Sequence, residues 1–323
     1  SSPSAALPQR GGTGRGGRGS VKLSAKVFKK ALAFRASTLE EVAGILPTGE
    51  PVVATVKVDG ELEVWDVDVA AGVAQVFNQN ERERIVRPVQ RELLLALQKA
   101  GHQRARGAGE LYAVDRQGKP LPRNEVMSHV KARTKATTPV ADQQALRLAI
   151  FDLFELDGTI LWQRAPYADR FVALQAIFGG GTFVRAVAGR TDVKGADPIR
   201  ALWRRHVLEE NFEGLVLRTN GAVKVKPLHT VDLAVIAIQQ GKGQHRDTTG
   251  SLVLAFRDWT GRFLEAGHVG SGLTVRDRDW WWRTPKRIPG GCGKGAAARA
   301  TTFGEPGPVV EVEAESFNQK QVR

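Results

Sequence analysis

The chain has 323 residues, of which 42% are hydrophobic, and 47 Lys and Arg stand against 34 Asp and Glu, giving a formal charge of +13. That supply of apolar residues suits two cored domains, and the cationic excess favours a polyanionic partner such as nucleic acid. A single cysteine, Cys292, and six scattered histidines exclude an internal disulfide and a cysteine-rich zinc site, and no apolar run approaches the ~18 residues of a membrane span.

Residues 1–20, "SSPSAALPQRGGTGRGGRGS", offer almost nothing to bury and read as a disordered basic tail without the apolar core of a secretory signal. Strands are expected at "PVVATVKVD", "ELEVWDVDV" and "VAQVFNQ". The Asp59-Gly60 pair between the first two is a strong hairpin signal, with Lys57 just before the turn. "RPVQRELLLALQKAG" predicts a helix, with Pro88 near its start and Gly101 past its end. "GELYAVD" and "LRLAIFDLFEL" predict buried strands, and "PYADRFVALQAIF" and "PIRALWRRHVLEE" predict amphipathic helices. "EGLVLRT" and "GAVKVKP" predict a second hairpin around Asn220-Gly221. From Val231 short strands recur between turn residues ("VDLAVIAIQ", "SLVLAFRD", "FLEAGHVG", "VVEVEAE"), a texture that suits a small all-β barrel. The expected organisation is a tail over 1–20, an α+β domain over 21–230 and a β-barrel domain over 231–323.

Five stretches follow in order: "KVDG" at 57–60, "GEL" at 109–111, "FDLFELDG" at 151–158, "EGLVLR" at 213–218 and "VKVKP" at 223–227. Each has a bland reading as a turn, a core strand or a solvated face. Together they contain what a lysine nucleophile needs to attack a phosphate: cations around the phosphate, carboxylates of the type that ligate Mg²⁺ or Mn²⁺, and an aromatic plane for a base. A lysine must lose its proton before it attacks, and neighbouring cations favour the neutral amine.

In this order the motifs resemble those of the covalent nucleotidyltransferase superfamily, and most of all the ATP-dependent DNA ligases. The likeness covers residues 50–230, and the strands behind it resemble that family's OB-fold domain. The resemblance implies that Lys57 forms a lysyl-AMP with ATP, within a nucleotide site that includes Asp59 and Gly60. It implies that Glu110 contacts the ribose or supports the metal, Phe151 stacks on adenine, Glu213 serves the metal, and Lys224 and Lys226 hold the α-phosphate. The implied activity is sealing of 5′-phosphate/3′-hydroxyl nicks in duplex DNA by an intracellular monomer. The sequence departs from the family at Leu62, where an arginine is usual, and at Thr55, where a glutamate is common. Arg82 and Arg84 stand as displaced substitutes for a further arginine. An RNA ligase of the same superfamily and an inactive nucleic-acid-binding OB-fold protein therefore stay open as alternatives. "VVEVEAESFNQKQVR" stops where the family's final motif would begin, leaving Lys320 and Arg323, or the loop Lys294, for the pyrophosphate. Slow charging with ATP relative to sealing of an already adenylated nick is the expectation.

Overall fold

The computed structural model describes residue 28 and residues 35–46, 51–218, 221–227, 229–283, 292–293 and 308–314. The tail, Asn220, Lys294, Lys320 and Arg323 lie outside them. In chain order the strands are β1 (Arg35–Ser37), β2 (Val52–Lys57), β3 (Glu61–Asp68), β4 (Val73–Asn78), β5 (Arg104–Ala113), β6 (Leu146–Leu156), β7 (Thr159–Ile160), β8 (Val184–Ala186), β9 (Gly189–Val193), β10 (Gly214–Arg218), β11 (Ala222–Val225), β12 (His229–Gln240), β13 (Thr249–Arg257), β14 (Phe263–Val269), β15 (Cys292–Gly293) and β16 (Val309–Ala314). The α-helices are α1 (Val42–Ile45), α2 (Arg87–Lys99), α3 (Arg123–Arg133), α4 (Tyr167–Phe178), α5 (Ala196–Trp203) and α6 (Val275–Arg283). Contacts divide the described residues into two units, the first built on Ala43–Lys224 and the second on Ala36–Val42 and the residues from Val225 onward.

The first unit holds two sheets. The larger runs β4-β3-β5-β6-β7, with β8 parallel to β6. Its core face is apolar at every second residue, so Trp65, Val67, Leu111 and Ala113 come to lie under the helices. Helix α2 contributes Val89, Leu93 and Leu97, four residues apart on one stripe. Pro88 stands in its first turn and Gly101, at φ 80°, follows its end, both as expected. Trp65 is fully buried, edge-on to Phe178 at 5.4 Å. Gly107 makes room for that indole, since a Cβ there would fall 2.4 Å from Trp65 Cζ2.

In the second sheet β11, β10, β2 and β9 are neighbours. This arrangement corrects one expectation. The Asp59-Gly60 turn does not make a hairpin, because β2 pairs with β9 and β10 while β3 pairs with β4 and β5. The turn instead carries the chain from one sheet to the other. The β10–β11 neighbourhood agrees with the second predicted hairpin. "PIRALWRRHVLEE" forms α5 only as far as Trp203, and Arg204–Glu209 continues as a π-helix.

In the second unit β12 lies at the centre of a five-stranded sheet. It pairs with β16 from His229 to Ala234, with β13 from Ala234 to Gln240, and briefly with β15. Leu233, Val235, Ile238, Leu252, Leu254 and Trp281 form its core. The predicted barrel is not closed among the described residues, where no ladder joins β14 to β16. Bulges at Val235/Ala237 and Gln239/Gln240 let the two halves of β12 serve different neighbours. Evenly spaced short strands are compatible with both an open sheet and a barrel, so spacing alone could not separate them. The fold is mixed α+β.

Candidate active site

Between the two sheets of the first unit lies a cavity of about 210 Å³. Thr55, Val56 and Lys57 of β2, Glu61 and Leu62 of β3, Glu110 of β5, Phe151 of β6 and Val216 and Arg218 of β10 reach it, together with Lys224 of β11. Strand β2 is buried along its length until Lys57, whose side chain keeps 15% exposure. Its ammonium is ion-paired with the Glu213 carboxylate, itself 20% exposed. The backbone places the two together: Gly214 is opposite Lys57 in the β2–β10 ladder, and the Glu213 N–H donates to the Lys57 carbonyl at 3.1 Å.

Gly60 closes the turn against β5. A Cβ there would fall 2.4 Å from the Leu111 carbonyl oxygen and 2.8 Å from Glu110 Cγ. The glycine of the K-x-D-G string therefore permits a close backbone approach that also brings Glu110 beside the turn. Leu62 is opposite Glu110 in the β3–β5 ladder, so an apolar and an acidic side chain share this wall.

Phe151 belongs to an aromatic group with Phe28 at 5.9 Å, and Phe28 packs in turn on Phe154 and Trp162 at 5.0 Å. The Tyr167 hydroxyl donates to the Phe151 carbonyl at 2.7 Å. Burial pushes the Tyr167 phenol up to about 12, which keeps it a neutral donor. The Arg218 guanidinium lies 4.7 Å over the Tyr167 ring. Beneath this wall Arg170 Nε donates to the Asp152 carboxylate at 2.8 Å, wholly inside the protein.

Behind Glu61 stands Glu63, fully buried, with neither carboxyl oxygen hydrogen-bonded. Arg84 reaches Glu61 at 2.6 Å but Glu63 only at 3.5 Å. Burial and then the Glu61 charge push the Glu63 carboxyl up to about 9, and the Arg84 charge does not offset them.

The structure thus gathers Lys57, Gly60, Glu110, Phe151 and Lys224 at one cavity, and Glu213 onto Lys57. Asp59 stays in the turn and does not line the cavity. Lys226 falls one residue beyond the end of β11, in the second unit, where its N–H donates to the Ser37 carbonyl at 3.2 Å. Sequence reasoning passed over Phe28, Met127, Gln79 and Arg218, all of which line the cavity. Arg218 closes the "EGLVLR" string and could have been found there, while nothing local marks Phe28.

The family model described as ATP dependent DNA ligase domain matches residues 31–224. The chain belongs to the ATP-dependent DNA ligase domain family. Its ligase-type segment is 32% identical over 184 residues to a probable DNA ligase of Streptomyces griseus, covering 53% of this chain and 36% of that protein. It is 33% identical over 178 residues to a DNA ligase of Methanoculleus marisnigri, covering 51% and 31%. The chain spans about a third of the length of these relatives. A solved Lig E DNA ligase, described as binding DNA with a minimal scaffold, superposes with a TM-score of 0.55 at 17% identity, over 89% of this chain and 93% of that one. At that identity the likeness to the Lig E ligase is one of fold.

Proposed function

We propose that this chain is an ATP-dependent DNA ligase that seals nicks between a 5′-phosphate and a 3′-hydroxyl, with Lys57 as the residue that carries AMP. The observation that carries this reading is Lys57 at the cavity wall, paired with Glu213 and sharing the cavity with Phe151, Glu110 and Lys224. The Lys57 lone pair attacks the α-phosphorus, the bond to pyrophosphate breaks, and the amine proton leaves. AMP then passes to the 5′-phosphate of the nick, and the 3′-hydroxyl displaces it to join the strands. Phe151, held by Tyr167 and packed on Phe28, offers its face to adenine, and Lys224 neutralises the α-phosphate. Lys226 keeps the phosphate role that the "VKVKP" motif implies, and Asp59 with Gly60 shapes the turn that carries the nucleophile.

No group of three or more metal-binding side chains occurs among the described residues. Mg²⁺ is commonly held by one or two carboxylates together with substrate phosphates and water, so the carboxylates of Glu110 and Glu213 suit Mg²⁺ or Mn²⁺. When bound, the ion would supply charge neutralisation at the phosphate. The second unit acts as an OB-like domain gripping the duplex. No described helix is long and apolar enough to cross a membrane, and we place the enzyme inside the cell, as a monomer on nicked duplex DNA.

Leu62 at the cavity, in place of the usual arginine, gives the RNA-ligase reading its one structural foothold. Sealing of a nick with all-deoxy strands, compared with one whose 3′-hydroxyl strand is RNA, separates the two. Faster sealing of the deoxy nick is expected, and a preference for the ribonucleotide strand would replace DNA ligase with RNA ligase.

A further inference from the structure

Glu213 enters the site by an unusual route. The π-helix Arg204–Glu209 ends with the Glu210 N–H donating to the Arg205 carbonyl at 3.2 Å. Asn211 then takes a left-handed φ of 64°, and the Phe212 N–H returns to the His206 carbonyl at 3.0 Å. One residue later Glu213 meets Lys57. A π-turn carries one more residue per hydrogen-bonded loop than an α-turn and persists where surrounding contacts over-determine it.

His206 supplies those contacts. It is 5% exposed, and its Nδ1 lies 2.7 Å from Glu210 Oε2, so it fastens the end of the π-helix. The other Glu210 oxygen takes a weaker bond from Arg205 Nε at 3.4 Å. On the inner side the imidazole stands edge-on to the Phe212 ring, 6.3 Å between centroids at 69°. Phe212 packs in turn on the cluster of Val53, Val56 and Val58, which spans the strand and turn on either side of Lys57.

We infer that His206 is a positioning residue for the Lys57–Glu213 pair: with Glu210 it fixes the π-turn at the spacing that sets Glu213 against the nucleophile. The inference rests on Lys57 being the residue that takes AMP. Without the His206 wedge the segment is free to rewind to α geometry, which turns the residues beyond it by about a residue's 100° and withdraws Glu213.

The test compares wild type, His206→Ala, His206→Asn and Glu210→Gln. Two quantities are read: single-turnover lysyl-AMP formation from α-labelled ATP over a range of ATP concentrations, and backbone hydrogen exchange of the peptide containing Glu213. His206→Ala should lower the rate at saturating ATP about tenfold, with the half-saturating ATP concentration within twofold of wild type, and should speed exchange at Glu213. Asn can still donate to Glu210, so His206→Asn should recover most of both; Glu210→Gln should fall between. A His206→Ala protein with wild-type rate and unchanged exchange overturns the inference. If it does not fold, Glu210→Gln carries the test, and a wild-type rate together with unchanged exchange in Glu210→Gln overturns the inference. A wild-type protein that forms no lysyl-AMP defeats the ligase reading instead, and the exchange measurement then decides the positioning role alone.

Discussion

At neutral pH Glu63 holds a proton, because burial beside Glu61 places its value near 9 while the unfolded chain keeps the ordinary 4.5. Between those values the native state retains a proton that the unfolded state has lost. Stability therefore falls as pH rises through this window, by up to about 1.4 kcal/mol per pH unit for this one group, and is unaffected by it outside the window. Glu63→Gln preserves the neutral shape at every pH. Its Tm should match wild type at about pH 5 and exceed it increasingly toward about pH 9. Equal Tm values across that range would show that Glu63 is ionised in the fold. Glu213 makes a second prediction at this scale. Glu213→Ala should slow sealing by about 10²–10³-fold, the range for removing one group that stabilises transition-state charge, while leaving the nick-binding constant near wild type. A rate within twofold of wild type removes Glu213 from the chemistry.

The turn between β2 and β3 shows how elements build the site. A methyl group on Gly60 would meet the Glu110 stem and the Leu111 carbonyl, and the carbonyl cannot retreat without disturbing β5. Gly60→Ala should cost about 1–3 kcal/mol in urea unfolding, as overpacking does, and depress lysyl-AMP formation. Unchanged stability and labelling would mean the turn is looser than described. The residue types of this turn were legible in the sequence, but its topology was not. Asp-Gly between alternating hydrophobics encodes a reversal, and only long-range pairing with β5, β9 and β10 decides which sheet receives the next strand. Helix α2 was legible because its apolar spacing, Pro88 and Gly101 agree with one another. The π-helix was not, since "RRHVLEE" continues the helical period and the extra residue is imposed by the packing of His206 and Phe212. Likewise Phe28 joins Phe151 from far away in sequence, which no local pattern announces.

For the whole molecule, the chain carries a formal charge of +13, and the cavity that Lys57 lines lies in one unit. Binding to nicked duplex should weaken steeply with salt, with a slope of about −0.9 per phosphate contact in log affinity against log salt, and with little sequence preference. A flat plot would mean that the basic surface does not meet the substrate. The central claim concerns Lys57, and its most direct test is covalent labelling with ATP radiolabelled at the α-phosphate, resolved on a denaturing gel and mapped by peptide mass spectrometry. The account predicts that wild type carries AMP on Lys57 and that folded Lys57→Ala carries none. A labelled band of wild-type intensity in Lys57→Ala, or AMP mapped to another lysine, would contradict it.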